Sequence, residues 1–223
     1  MLNQLKIKSA KIYDYFINLR YDQKFSIETN IPVKLLDMDI DHQSIIHARQ
    51  YQATHYRLFF KIMNQLQLNW KKFTFIDFGS GKGRCLLIAG MLGFKEAIGI
   101  EFAEDLCQKS RENLQSFKKA HPHVELSPIK IIKEDALNFY PYSNHNVYFF
   151  YNPFDGNIME KVLQNCVESS NSESRDYYIY INPLRDYLFE SFGLKEVMSI
   201  PNLNHNKKVK IYTNINLKSP SSL

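Results

Sequence analysis

Asp77-Phe78-Gly79-Ser80-Gly81-Lys82-Gly83 is the stretch that decides the fold. It closes a short run rich in aromatic residues, Phe73-Thr-Phe-Ile-Asp-Phe78, and leads into an apolar stretch from Cys85 to Leu92 with the length of a helix. Glycines at a strand-to-helix turn let the chain reverse sharply and let a ligand come close to the backbone. The start of the following helix offers unpaired N–H groups to an anionic ligand. Three nucleotide-handling loops compete for such a segment. A P-loop needs G-x-x-x-x-G-K-[ST], but counting back from Gly81-Lys82 places Ile76 at the first glycine, and Gly83 replaces the magnesium-binding Ser/Thr. A dinucleotide loop, G-x-G-x-x-G, fits Gly79 and Gly81 but meets Arg84 at the third position. What remains is acidic-x-G-x-G-x-G, in which the acid closes the first strand and sets the loop around an adenosyl ligand.

On the C-terminal side the period alternates. Glu96–Glu101, Ile129–Ile132, Val147–Tyr151 and Tyr177–Ile181 read as strands, and Ala103–Ala120, 157–168 and Leu184–Phe192 as helices. Strands separated by helices imply crossover units on a mostly parallel sheet. Leu194–Ile200 and Val209–Thr213 follow without a helix between them, which predicts a closing hairpin pair and one antiparallel edge strand. On the N-terminal side, residues 44–68 are predicted helical up to the Asn69-Trp70-Lys71-Lys72 break. Residues 2–20 carry Leu2, Leu5, Ile12, Tyr13, Phe16 and Leu19 at near-helical spacing, with Lys6, Lys8, Lys11 and Arg20 between them. Such a stripe suits a basic membrane-surface helix or a helix packed on its own domain, and packing is the expectation. The chain thus divides into a basic helical lead-in over 1–72, a sheet-and-helix core over 73–215 and a tail over 216–223.

Composition narrows the classes further. The 223 residues suit one large domain, and 44% hydrophobic with 23% charged residues excludes a disordered chain or a coiled-coil rod. Cys85, Cys107 and Cys166 are too few and too scattered for a disulfide framework or a CxxC zinc site, and they suit a reducing compartment. Neither a membrane span nor a signal-peptide core is legible, so the expected location is the cytoplasm. Residues 1–72 hold 11 Lys/Arg against 6 Asp/Glu, while 73–223 hold 17 against 17. The whole excess of +5 therefore sits in the lead-in. His121-Pro-His123 has a spacing that can ligate metal, but no third ligand is evident and no metal is expected.

The ordered strand ends resemble those of the class I S-adenosylmethionine-dependent methyltransferases. The resemblance implies a Rossmann-like α/β fold with a mostly parallel seven-stranded sheet, one antiparallel edge strand and an N-terminal helical extension. It also implies S-adenosylmethionine as cofactor, leaving as S-adenosylhomocysteine. Asp77, Gly79, Ser80, Gly81 and Gly83 would form the cofactor loop. Glu101, 22 residues after Gly79, would accept both ribose hydroxyls, with Phe102 over one adenine face. Glu134-Asp135-Ala136 matches the third strand end, which places Asp135 and Ala136 near the adenine amino group. Tyr151-Asn152-Pro153-Phe154 stands at the fourth, where Asn152 faces both cofactor and methyl acceptor. These ends share the carboxyl edge at which open parallel sheets bind ligands.

The whole chain also resembles a bacterial group of methyltransferases of unassigned substrate. Its markers are Arg20-Tyr21 through Ile27-Glu28-Thr29, and Tyr51-Gln-Ala-Thr54. That likeness implies a lead-in folded over the cleft as a lid, with Tyr51 and Thr54 in the pocket. Enzymes that methylate planar amino groups carry Asn/Asp-Pro-Pro-aromatic at the fourth strand. This chain departs from that pattern, because Phe154 replaces the second proline and Asp155 the aromatic. The glycine loop is similar to that of the non-SET histone-lysine methyltransferases. Both likenesses imply a nitrogen acceptor, with Asn152 and the Pro153 carbonyl orienting it and Phe154 beside it. A lysine-like protein side chain is the expected acceptor and a nucleic-acid base the alternative. A catalytically silent adenosyl-binding adaptor is the reading from a different class.

Overall fold

The computed structural model describes residues 2–31, 52–202 and 207–215. The start of the predicted 44–68 helix, Tyr51 and the 216–223 tail lie outside them. Seven strands form one sheet, β1 (Thr74–Phe78), β2 (Glu96–Glu101), β3 (Ile129–Lys133), β4 (Asn146–Phe150), β5 (Tyr177–Ile181), β6 (Lys195–Asn202) and β7 (Lys207–Thr213). Their spatial order is β3-β2-β1-β4-β5-β7-β6. Strands β1 to β5 are parallel, and β7 runs antiparallel to both β5 and β6. The sheet is therefore Rossmann-like, mostly parallel, with antiparallel pairing confined to one end, and the closing hairpin folds back so that its second strand inserts beside β5.

Parallel strands covered on both faces read as continuous apolar runs. In β1 and β4 every residue is buried. Alternate side chains feed two cores. On one face Phe75, Ala97, Val147, Phe149, Ile179 and Ile211 pack with α2 (Tyr56–Leu66), α3 (Arg84–Leu92) and the end of α4 (Glu104–Ala120). On the other, Ile76, Phe78, Ile98, Tyr148, Phe150 and Tyr180 pack with α5 (Gly156–Glu168) and α6 (Tyr187–Ser191). Asp155 caps α5 by accepting a hydrogen bond from the Ile158 N–H at 3.1 Å, the ordinary role of a carboxylate just before a helix.

Helix α1 (Leu2–Phe25) corrects one expectation. Its inward positions are Asp14, Asn18, Asp22 and Phe25, all buried, whereas Ile12, Tyr13 and Phe16 of the apolar stripe are exposed. The physical reason is electrostatic. The surface beneath α1 carries Arg57 and Arg84, and the helix must bring carboxylates to them: Asp14 pairs with Arg57 at 3.2 Å and Asp22 with Arg84 at 3.3 Å. Asn18 completes the seam, accepting from the Tyr56 N–H and contacting the His55 ring at 2.7 Å.

Candidate active site

The strand order reverses between β1 and β4, and ligands bind open α/β sheets at that switch point. The glycine loop follows β1, and Asn152-Pro153 follows β4. At Gly79 the backbone is left-handed, with φ of 77°. A Cβ there would lie 3.4 Å from Pro153 Cβ, so the two loops close on each other. Gly79 and Ser80 both donate backbone N–H bonds to the Ile100 carbonyl, at 2.9 and 3.1 Å. The loop is thereby pinned to the end of β2. Gly83 also has a left-handed φ of 80°, and its Cα presses on α4 so closely that a Cβ would meet Ser110 Oγ at 2.1 Å.

Glu101 organises the floor of the site. Its Oε2 accepts from the Gly81 N–H at 2.9 Å and its Oε1 from the Ala103 N–H at 3.1 Å. Burial raises its pKa, and backbone hydrogen bonds from Ala103, Gly81 and Phe102 oppose the rise. Each carboxylate oxygen has two lone pairs, so each retains capacity for a ligand hydroxyl. The Glu101 carbonyl accepts from the Glu134 N–H at 3.0 Å, which ties the ends of β2 and β3 together. Asp77 is buried as well, and its carboxyl is pushed up to about 8, first by burial and then by the charge of Glu101. Two buried carboxylates side by side fit a cationic ligand. S-adenosylmethionine, which carries a sulfonium and an α-ammonium, has the matching charge.

The other residues expected at the site are distributed as follows. Ser80 stays in the loop through its backbone, but its buried hydroxyl turns toward Gly99, 2.6 Å from where a Cβ on Gly99 would sit. That hydroxyl finds no hydrogen-bond partner among the described residues. Phe102 is half-buried after β2. Asp135 is exposed and caps a short 3-10 turn by accepting from the Leu137 N–H at 2.9 Å, with Ala136 buried behind it. Asn152 is buried with a φ of 43°, and its Oδ1 accepts a hydrogen bond from the Tyr180 hydroxyl at 3.2 Å. Phe154 is half-buried and its ring lies at 72° to that of Phe78, 6.4 Å between centroids. Thr54 is buried and its carbonyl accepts from Arg84 at 2.8 Å.

Sequence reasoning missed the network that locks the lead-in to the glycine loop. Lys82, inside the loop, donates to Glu28 Oε1 at 2.7 Å and to the Ile31 carbonyl at 2.9 Å. Arg84, one residue after the loop, donates to Thr29 Oγ1 at 2.7 Å and lies 4.4 Å over the Tyr56 ring. Asp22 binds the Thr29 backbone and hydroxyl, both at 2.7 Å, and the Tyr56 hydroxyl at 2.8 Å. Asn113 on α4 joins the Glu28 and Lys82 carbonyls, 3.0 Å to each. The available signal was the placement of Lys82 inside the glycine loop and Arg84 at the start of the apolar helix after it, where both must find anionic partners once buried. Among the described residues no group of three or more His, Cys, Asp or Glu side chains is arranged to hold a metal ion. No described helix is long and apolar enough to cross a membrane.

Solved structures share this architecture across different acceptors. An RNA methyltransferase from Salinibacter ruber, in complex with S-adenosyl-L-homocysteine, is 15% identical, with 77% of this chain and 99% of that one covered at a TM-score of 0.53. Magnesium protoporphyrin IX methyltransferase from Synechocystis PCC 6803, with bound cofactor, gives 9% identity, 71% and 79% coverage and a TM-score of 0.55. The ribosomal protein L11 methylase from Lactobacillus delbrueckii subsp. bulgaricus gives 11%, 70%, 76% and 0.53. At these identities the likeness speaks for the fold and not for the acceptor. No curated protein matches the chain. The profile of the family described as Histone methylation protein DOT1 matches residues 39–170, which takes in the glycine loop and every strand end from β1 to β4. With that match over more than half of its length, the chain belongs to the DOT1 family and is a class I S-adenosylmethionine-dependent methyltransferase.

Proposed function

We propose that the enzyme methylates a nitrogen of a protein side chain of the lysine type, with Asn152 and the Pro153 carbonyl orienting the acceptor. The observation that carries this reading is the Asn152-Pro153 step lying against Gly79 of the glycine loop, with Asn152 Oδ1 already fixed by Tyr180. The second lone pair of that oxygen is left for an acceptor N–H. The family description, which names a histone methylation protein, supports a protein acceptor over a nucleic-acid base.

When bound, the cofactor supplies an electrophilic methyl group on a positively charged sulfur. The chain's own residues bind, orient and exclude water. In this reading Glu101 receives the ribose hydroxyls, Phe102 covers an adenine face, and Asp135 with Ala136 borders the adenine edge. Asp77 provides negative charge opposite the cationic end, and Gly79, Gly81 and Gly83 allow close backbone approach, with Ser80 contributing through its main chain. Phe154 and Thr54 are assigned to the acceptor side, the likeness to the bacterial group gives Tyr51, outside the described residues, the same role, and the 1–72 lead-in is assigned as a lid on the 73–215 core. A lysine acceptor must arrive neutral, and a site with little water favours that form. No side chain is assigned as general base. Positioning at near-attack distance accounts for most of the acceleration.

The test uses labelled S-adenosylmethionine with protein and nucleic-acid extracts. Label that survives nuclease and is released by protease is expected; label released by nuclease alone would transfer the reading to a base. Asn152 has a left-handed backbone, so Asn152→Gly removes the side chain without strain. Turnover should fall roughly 10- to 100-fold, the loss of one orienting hydrogen bond to a charged or developing centre, while cofactor affinity stays within about threefold. An unchanged rate would remove Asn152 from its role.

A further inference from the structure

Helix α1 presents to solvent the face that a helix packed only on its own domain would bury. Ile12 is 59% exposed, Tyr13 54%, Tyr15 52% and Phe16 59%. At about 100° per residue, Ile12 and Phe16 lie about 40° apart around the helix, with Tyr15 about 60° beyond one and Tyr13 about 60° beyond the other. Exposed Arg20 and Lys24 continue on the Tyr13 side over the next two turns. Arg57, half exposed and paired with Asp14, sits 5.1 Å over the Tyr13 ring and holds that ring at the edge of the face. The only acids on the helix, Asp14 and Asp22, are buried against Arg57 and Arg84. Around its outer surface the helix therefore shows an aliphatic and aromatic centre, tyrosine shoulders and cations, with no carboxylate among the described side chains.

We propose that this face of α1 docks the enzyme on an anionic lipid surface. Hydrocarbon accepts Ile12 and Phe16, and tyrosine rings place their hydroxyls at headgroup level. Arg20 and Lys24 then reach lipid phosphates, which attract each nearby cation. The charge pattern disfavours a second copy, because an identical face would bring cation against cation. Single-stranded nucleic acid would use the aromatic rings and the cations but leave Ile12 without a role. The proposal does not rest on the choice of methyl acceptor.

Its test is co-sedimentation of the full chain with vesicles of phosphatidylcholine alone and of a three-to-one mixture with phosphatidylglycerol. Binding to the mixture and not to phosphatidylcholine alone is expected. Ile12→Ser/Phe16→Ser should weaken that binding by at least roughly tenfold, from the lost apolar burial. Both side chains are exposed, so the variant should keep the wild-type Tm and S-adenosylhomocysteine affinity. Failure of the wild type to bind the mixed vesicles would overturn the proposal, as would equal binding by the variant. So would binding of a single-stranded oligonucleotide that the variant loses in place of vesicle binding, or a dimer in solution that the variant converts to monomer.

Discussion

Asp77→Asn should flatten the pH dependence of the enzyme's stability. Burial and the neighbouring Glu101 push the Asp77 carboxyl up to about 8 in the folded chain. An unfolded aspartate titrates near about 4. Between about pH 5 and 7 the folded chain therefore holds a proton that the unfolded chain has lost, and stability falls as pH rises through this window. One proton of difference sets a slope of up to about 1.4 kcal/mol per pH unit, or about 2.7 kcal/mol from pH 5 to 7. For a chain of this size that corresponds to a Tm change of roughly 5–10 °C. Asparagine has no such proton, so the variant's slope should be smaller by this amount. Glu101, which burial also raises, contributes to the slope of both proteins and cancels in the difference to first order. Saturating S-adenosylmethionine favours ionised carboxylates and should bring the wild-type slope toward that of the variant. Thermal unfolding followed by circular dichroism across this pH range measures all three curves. Parallel wild-type and variant slopes would refute the reasoning, because Asp77 would then titrate alike in both states.

The remaining predictions concern the loop and its anchors. Glu101→Ala should weaken S-adenosylhomocysteine binding at least roughly tenfold, from the loss of charge-assisted bonds of about 1.5–3 kcal/mol; calorimetry showing undiminished affinity would end the ribose assignment. Gly83→Ala should destabilise by roughly 2–5 kcal/mol, combining left-handed strain with the collision at Ser110. Adding Ser110→Ala should restore only the packing part, and an unchanged denaturation midpoint for Gly83→Ala alone would contradict the geometry. Arg84→Met should cost roughly 3–5 kcal/mol by leaving Asp22 buried and unpaired. Asp22→Asn in that background should recover much of the loss, whereas simple additivity of the two changes would show that they are not coupled.

Strands β1, β2, β4 and β5 were legible because strands buried on both faces leave continuous apolar runs, and the half-buried edge strand β3 as an alternation of isoleucine and lysine; their ends are marked by Gly79, Glu101, Asp135 and Asn152. The closing hairpin was legible as a pair. Its insertion order was not, since periodicity does not reveal that β7 rather than β6 lies beside β5. The orientation of α1 was misread for a related cause. Apolar spacing ranks faces by hydrophobicity alone, and the inward face was chosen by Arg57 and Arg84, which lie far along the chain. Phe154 shows a similar limit: the motif places it at the acceptor side, while contact with Phe78 depends on how two strands far apart in sequence meet.

The clamp of Glu28 on Lys82 and of Asp22 with Thr29 on Arg84 ties two distant segments into one unit of inheritance. Lys82 in the glycine loop and Arg84 just after it can be buried only because a segment 54 to 62 residues earlier carries their counter-ions. Cutting the gene to the sheet-and-helix portion would leave Lys82 and Arg84 facing an empty groove, so the folding unit must take in the segment from Asp22 to Ile31. Relatives that lack Asp22 and Glu28 should carry neutral residues at both loop positions, and transplanting the loop without its lead-in should produce a protein that collects in inclusion bodies.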